Sequence, residues 1–209
     1  MAVRSASRVA AIVVYVDAFV VGGVLMGFEM LGSRYLFPYF GGGIGTWASL
    51  ISMVLCALAI GYFTGGGIVE RHPSPRIIGG AILVAAIYLA AVPLTADPIM
   101  MRILEGMGDG PGAILIAAAA LLLVPLSLLG TFSPFAVRLL TRTAEESGSV
   151  AGLVYGVSTV GNIAGTLITT FMLIPTVGSR FITYLDAATL AVCAALLFVP
   201  TGKTAKKPG

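Results

Sequence analysis

The stretch VAAIVVYVDAFVVGGVLMGFEMLGSRYLF, residues 9–37, decides the fold. It stays apolar for longer than the ~20 residues a helix needs to cross hydrocarbon. Three charges interrupt it: Asp17, Glu29 and Arg34. A charge at the centre of a bilayer costs about 2.5–3.5 kcal/mol on insertion scales, so each of them needs a reason. Asp17 stands eight residues in from Val9, about 12 Å along a helix axis. It reads either as a cation or proton site facing a cavity or as a carboxyl bonded to another helix. Glu29 lies about 18 Å further along the axis. Five residues separate Glu29 from Arg34. That spacing offsets them on the helix surface, so each is expected to find its partner on another helix or in a pocket, as part of a substrate or proton site or of a structural ion-pair network, the remaining reading being simple exposure at the interface.

The whole chain has the same character. It is 58% hydrophobic and 10% charged, where soluble domains average about 45–50% and about 25%. This composition predicts an all-α integral membrane protein. The opening MAVRSASR is basic, but the run behind it is long enough to span and reads as a first helix rather than a cleaved leader. Six spans are expected, at 9–32, 46–68, 77–96, 112–137, 150–174 and 181–199, with a short amino-terminal segment 1–8 and a basic tail 200–209. Six crossings place both termini on one side. With that side cytoplasmic, it holds Arg4, Arg8, Arg71, Arg76, Arg138, Arg142, Lys203, Lys206 and Lys207, against Arg34, Arg102 and Arg180 outside. The asymmetry follows the positive-inside rule and predicts cytoplasmic termini.

The sequence offers little for soluble chemistry. No phosphate loop, nucleophile elbow or cysteine cluster is present. Cys56 and Cys193 lie in apolar runs and read as small core residues. His72 stands alone at a helix flank, without the partners a metal site requires. No enzyme, cofactor, metal site or nucleic-acid partner is expected.

The remaining signals are glycines and uncharged polar residues. In the fifth span, Gly152 and Gly156 are four apart, as are Gly161 and Gly165. Small residues at that spacing let helices pack closely. Ser158 and Asn162 mark a polar face on the same span, because an unpaired amide in lipid is costly. The fourth span is broken by Pro125, Gly130 and Pro134, and the first carries Gly22, Gly23, Gly27 and Gly32 with Pro38 beyond. If the chain is two inverted three-helix repeats, these two spans correspond, and paired interrupted helices point to a transporter's binding site. Asp186, about two turns into the last span, is expected to be the hydrated start of a helix after Ser179.

The segment FEMLGSRYLFPYFGGGIGTWASLISMVLCALAIGYFTGGGIVER, residues 28–71, resembles the membrane domain of the bacterial fused major-facilitator/spermidine-synthase-like family. Glu29, Arg34, Phe40 and Gly41 carry the resemblance, with the glycine-rich end of the second span. LLGTFSPFAVRLL and GLVYGVSTVGNIAGTLITTFMLIPTVGSR extend it over roughly 10–195. GGIVERHPSPR is also similar to the major-facilitator signature between spans two and three, through Gly66, Glu70, Arg71 and Arg76, although His72-Pro73 replaces the usual glycine. The resemblance implies half of a major-facilitator fold and a gating latch in that loop. It implies a homodimer, which would rebuild twelve helices, and a small, cationic, polyamine-like solute with possible proton coupling. The synthase domain of those relatives has no counterpart here, since nine residues follow Pro200. The alternative reading is therefore a membrane anchor or scaffold for a separately encoded synthase-like enzyme.

Overall fold

The computed structural model describes residues 8–198. The expected amino-terminal segment and basic tail fall, apart from Arg8, outside the described residues. Helices follow one another as α1 (Arg8–Phe40), α2 (Ile44–Arg71), α3 (Pro75–Met107), α4 (Pro111–Gly130), α5 (Phe132–Leu140), α6 (Ser147–Leu167), a π-helical segment (Ile168–Leu173), α7 (Ile174–Thr176) and α8 (Ser179–Phe198). They make six stretches long and apolar enough to span a membrane: α1, α2, α3, α4 with α5, α6 through α7, and α8. The chain is a multi-pass, all-helical membrane protein. A helix suits that setting because every backbone polar group in a spanning segment bonds within the segment.

Two helices outrun the sequence reading. α1 continues through Pro38 to Phe40, and α3 continues through Pro98 to Met107, across residues read as a connector. Proline removes one backbone donor, and neighbouring turns of a long apolar helix absorb the loss. α4 does break, between Gly130 and Thr131. Pro134 has no N–H to offer the Gly130 carbonyl, and the Thr131 hydroxyl donates to Leu128 O at 2.6 Å. Between α1 and α2 the chain turns at Gly41, whose φ of +71° favours glycine.

α1 packs on α6, α2 on α4, and α3 on α8, with α1 also against α8 and α3 against α4. Glycine sets the first two contacts. A Cβ added to Gly161 would strike the Phe19 carbonyl, and one added to Gly165 the Gly23 carbonyl. At Gly27 it would stand 2.7 Å from Thr169 Oγ1. These contacts advance in the same direction on both helices, so α1 and α6 run parallel with their backbones touching. α2 meets α4 and α5 in the same way. An added Cβ at Gly61 would strike the Ser127 carbonyl, and at Gly65 would stand 2.8 Å from Thr131 Cα.

The two contacts match residue for residue. Gly165 against Gly23 corresponds to Gly61 against Ser127, and Thr169 against Gly27 to Gly65 against Thr131. The members of each corresponding pair lie 104 residues apart, as do the starts of α3 and α8 at Pro75 and Ser179. Burial repeats with the same offset: Phe28 and Phe132, Leu50 and Val154, Ile78 and Ile182, and Leu89 and Cys193 are all buried. Residues 8–107 and 111–198 are thus matching three-span halves.

The span from Ser147 to Thr176 stands apart. Only 11% of its apolar window is buried, against 39–50% in the other five. It leans on α1, touches α5 and meets Tyr62 of α2 through Tyr155, and its outer face is open.

Gly165→Val is expected to lower stability by about 1–3 kcal/mol, the usual cost of overpacking. Gly106→Val, at an exposed position of α3 with nothing within 4 Å, should stay within about 0.5 kcal/mol. Thermal unfolding of the two variants in detergent checks the contrast.

Candidate functional site: a cleft between the two halves

α1, α2, α4, α5 and α6 enclose a cleft where the two halves meet. Gly22 and Leu25 line it from α1, Leu58 and Tyr62 from α2, Phe132 and Ser133 from α5, and Ser158 and Asn162 from α6. The cavity measures about 30 Å³, which is room for a water molecule but not a solute. Its polar groups are the Tyr62 hydroxyl, Ser133, Ser158 and the Asn162 amide, and none of them is charged. With its amide nitrogen assigned toward α1, Asn162 donates to Gly22 O at 2.8 Å and to Ser158 O at 3.3 Å. Gly22 allows this approach, since a Cβ there would stand 2.5 Å from Ser158 O. Ser158 and Asn162 therefore do form the polar face of their span, and that face looks into the cleft.

An aromatic pair stands beside the cleft, Tyr62 lining it and Tyr155 meeting Tyr62. The rings of Tyr62 and Tyr155 meet edge to face, with centroids 6.4 Å apart and planes at 85°. Tyr62 is nine residues before the end of α2 and Tyr155 eight residues after the start of α6. Both are about 12–14 Å from the bundle end where α1 begins. Edge-to-face rings attract by about 0.5–1.5 kcal/mol beyond their buried area, which a modest helix movement can offset. Sequence reasoning misses Tyr62, Tyr155 and Ser133. The available signal is a tyrosine inside an apolar run, with a hydroxyl to satisfy.

The structure separates Glu29 from Arg34. Glu29 is 7% exposed and follows Gly22 and Leu25 by seven and four residues, so it shares their face of α1, one turn beyond the cleft. The residue 104 positions on is Ser133, in the cleft lining. Arg34 is exposed at the opposite end of α1 from Arg8. Among the described residues the ion pair is Arg180 with Asp97, at 2.5 Å, and neither Glu29 nor Arg34 belongs to one.

Asp17 is 0% exposed, and its carboxyl oxygens have no polar partner other than the thiol that faces them. The polar group facing it is the Cys193 thiol of α8. The α1–α8 seam, not the cleft, therefore holds Asp17. Asp186 corrects the sequence reading. It is 8% exposed, with Oδ2 unpartnered, and is not a hydrated helix start. α8 is laid against α3 and α1 from its first turn, a packing that the polarity of its own sequence does not reveal.

The expected latch residues are helical rather than in the loop: Gly66, Glu70 and Arg71 form the last turns of α2 and Arg76 the first turn of α3. Glu70, Arg71 and Arg76 are exposed, Gly66 has open space around it, and Ser74 caps α3 by accepting from Arg76 N at 3.3 Å. The four glycines expected to pack divide in two. Gly161 and Gly165 touch α1, whereas Gly152 and Gly156 meet nothing within 4 Å. No described helix of this chain covers the second pair. A separate apolar recess of about 420 Å³ opens between α2, α3, α4 and α5, lined by residues such as Ile60, Ile77, Leu123 and Phe135.

Comparison with protein-family models, with curated proteins and with solved structures finds no match to this chain.

Asn162→Ala should cost about 1 kcal/mol, the net worth of a hydrogen bond between packed helices. Arg180→Ala, which breaks an exposed pair, should cost less than about 1 kcal/mol. Melting temperatures of the two variants in the same detergent check the order.

Proposed function

We propose that this chain is a half-size membrane transporter that carries a small cationic, polyamine-like solute through the cleft between its halves. The observation that carries the reading is the match of the two halves with a polar cleft at their junction. Each half has three spans, an odd number, so a second half inserted after the first runs inverted across the membrane. Inverted repeats with a site at their interface are a common transporter plan. On this reading the six helices are half of a major-facilitator-like fold. Basic residues Arg8, Arg71, Arg76, Arg138 and Arg142 cluster at one end, which faces the cytoplasm of a bacterial inner membrane.

A homodimer completes the transport path. A second copy in the same orientation lies against the open faces of α2 and α6, where Gly152 and Gly156 admit close approach. A two-fold dimer is the commonest symmetric assembly. It brings two cleft faces together and places Glu29 twice around one path. Hydroxyls and an amide then hold the solute's N–H groups, and the paired carboxylates select positive charge. The Tyr62–Tyr155 contact closes the path on the cytoplasmic side, and the helix ends bearing Gly66, Glu70, Arg71 and Arg76 move with it. The polyamine class comes from the family resemblance together with the place of Glu29 beside the cleft.

Uptake of labelled putrescine and spermidine into proteoliposomes tests the proposal. Saturable uptake is expected, falling at least tenfold in Glu29→Gln and rising in leak when Tyr62→Ala removes the aromatic closure. Folded protein that moves neither polyamine contradicts the substrate class. Tight capture of a synthase-like enzyme by such protein, without flux, would favour the anchor reading.

A further inference from the structure

The α1–α8 seam carries polar groups that the cleft does not use. At one end the Thr183 hydroxyl donates to Ser179 O at 2.9 Å. Its single proton is then committed, so Tyr35 is the donor in the 2.9 Å bond between Tyr35 Oη and Thr183 Oγ1. Asp186 lies one turn further along α8, and two more turns lead to Cys193, which faces Asp17. The two carboxyl groups are at least nine-tenths buried, and each has an orphaned oxygen.

No positive charge among the described residues balances them. The residues α3 buries, such as Ile78, Ile82 and Leu89, are apolar. The titratable groups buried on the three packed helices are Asp17, Glu29 and Tyr35 from α1 and Asp186 and Cys193 from α8. Arg180, at the far end of the seam, is exposed and already paired with Asp97. An ionised carboxylate buried without a partner costs several kcal/mol, and a buried group neutralises instead.

A bound metal ion is a poor alternative. Hard cations take about six or more oxygen ligands. α1 and α8 run unbroken through this region, so their carbonyls are engaged in helix bonds. The two carboxyl groups do not cluster: Asp17 faces the Cys193 thiol, which lies about two turns along α8 from Asp186. A proton needs none of those extra ligands.

We propose that Asp17 and Asp186 are proton-binding sites, both neutral carboxylic acids in this conformation, on a seam separate from the solute cleft. Sliding of α8 against α1 admits water, and the carboxyl O–H then gives its proton to that water. The protonation stands on the seam's geometry. Its use as the coupling step rests on the transport reading.

Infrared spectroscopy of the protein in lipid vesicles tests this without any solute. At neutral pH the spectrum should show the C=O stretch of protonated carboxyl groups. Asp17→Asn and Asp186→Asn should each remove part of that band, and the double variant all of it except any share removed by Glu29→Gln. Asparagine matches the neutral acid in shape, so the variants should melt as the wild type does. A spectrum without the band at neutral pH, a band indifferent to both substitutions, or one abolished by sodium or potassium ions overturns the proposal. Proton-driven uptake should fall at least tenfold in the double variant. Uptake that stays fully proton-coupled there overturns the coupling role. A correct band with no polyamine flux contradicts the transport reading while leaving the proton sites standing.

Discussion

The backbone contact between α1 and α6 is the constraint on which the rest of the structure depends. Gly161 and Gly165 let the two helices touch at the carbonyls of Phe19 and Gly23. Between helices in lipid there is little hydrophobic drive to associate, so close packing and interhelical hydrogen bonds must supply it. The same contact aims Asn162 at Gly22 and so builds the polar wall of the cleft. Its counterpart, Gly61 and Gly65 against Ser127 and Thr131, holds the opposite wall. One packing device, used twice, gives the molecule both its symmetry and its cleft.

The arrangement sorts polar groups by task. Uncharged donors and acceptors gather in the cleft, with Glu29 one turn away. Asp17 and Asp186 lie behind it, in the seam between α1 and α8, Asp17 on α1 and Asp186 on α8. α1 thus carries a carboxyl toward each side, and a small rotation or slide of this helix alters both environments together. The open flank of α6 is the other consequence. A helix with so little of its surface buried moves more cheaply than one packed all round. The π-helical turn at Ile168–Leu173 lies on this loosely held span, beside the Gly27 contact, as such turns often lie near functional sites.

Much of the architecture is legible in the sequence. Apolar length alone gives six spans, and the four-residue glycine spacing marks Gly161 and Gly165 as packing residues. Ser158 and Asn162 are legible because an amide in lipid needs a partner. The rest is hidden for a physical reason. In a membrane the lipid-facing and protein-facing sides of a helix are both apolar, so periodicity does not tell them apart. Gly152 and Gly156 therefore look equivalent to the pair that packs, and Asp186 looks like a helix start. The continuations of α1 and α3 through Pro38 and Pro98 escape because proline is a weaker stop in a long apolar helix than in a soluble one. The match between halves lies in burial and glycine contacts at a fixed offset, with few identical residues, so it emerges only when the packing is seen.

The face formed by α2 and α6 is the point on which this account turns. If the six helices are half of a transport path, that face is buried against a second copy. The most direct test is the mass of the protein in lipid nanodiscs by native mass spectrometry. A paired variant, Gly152→Cys on a Cys56→Ser background, tests the geometry by disulfide cross-linking. The account predicts two chains per particle and a cross-link between the thiols introduced at position 152 of the two copies. A single chain per particle at every protein-to-lipid ratio, with no cross-link through α6, would contradict it.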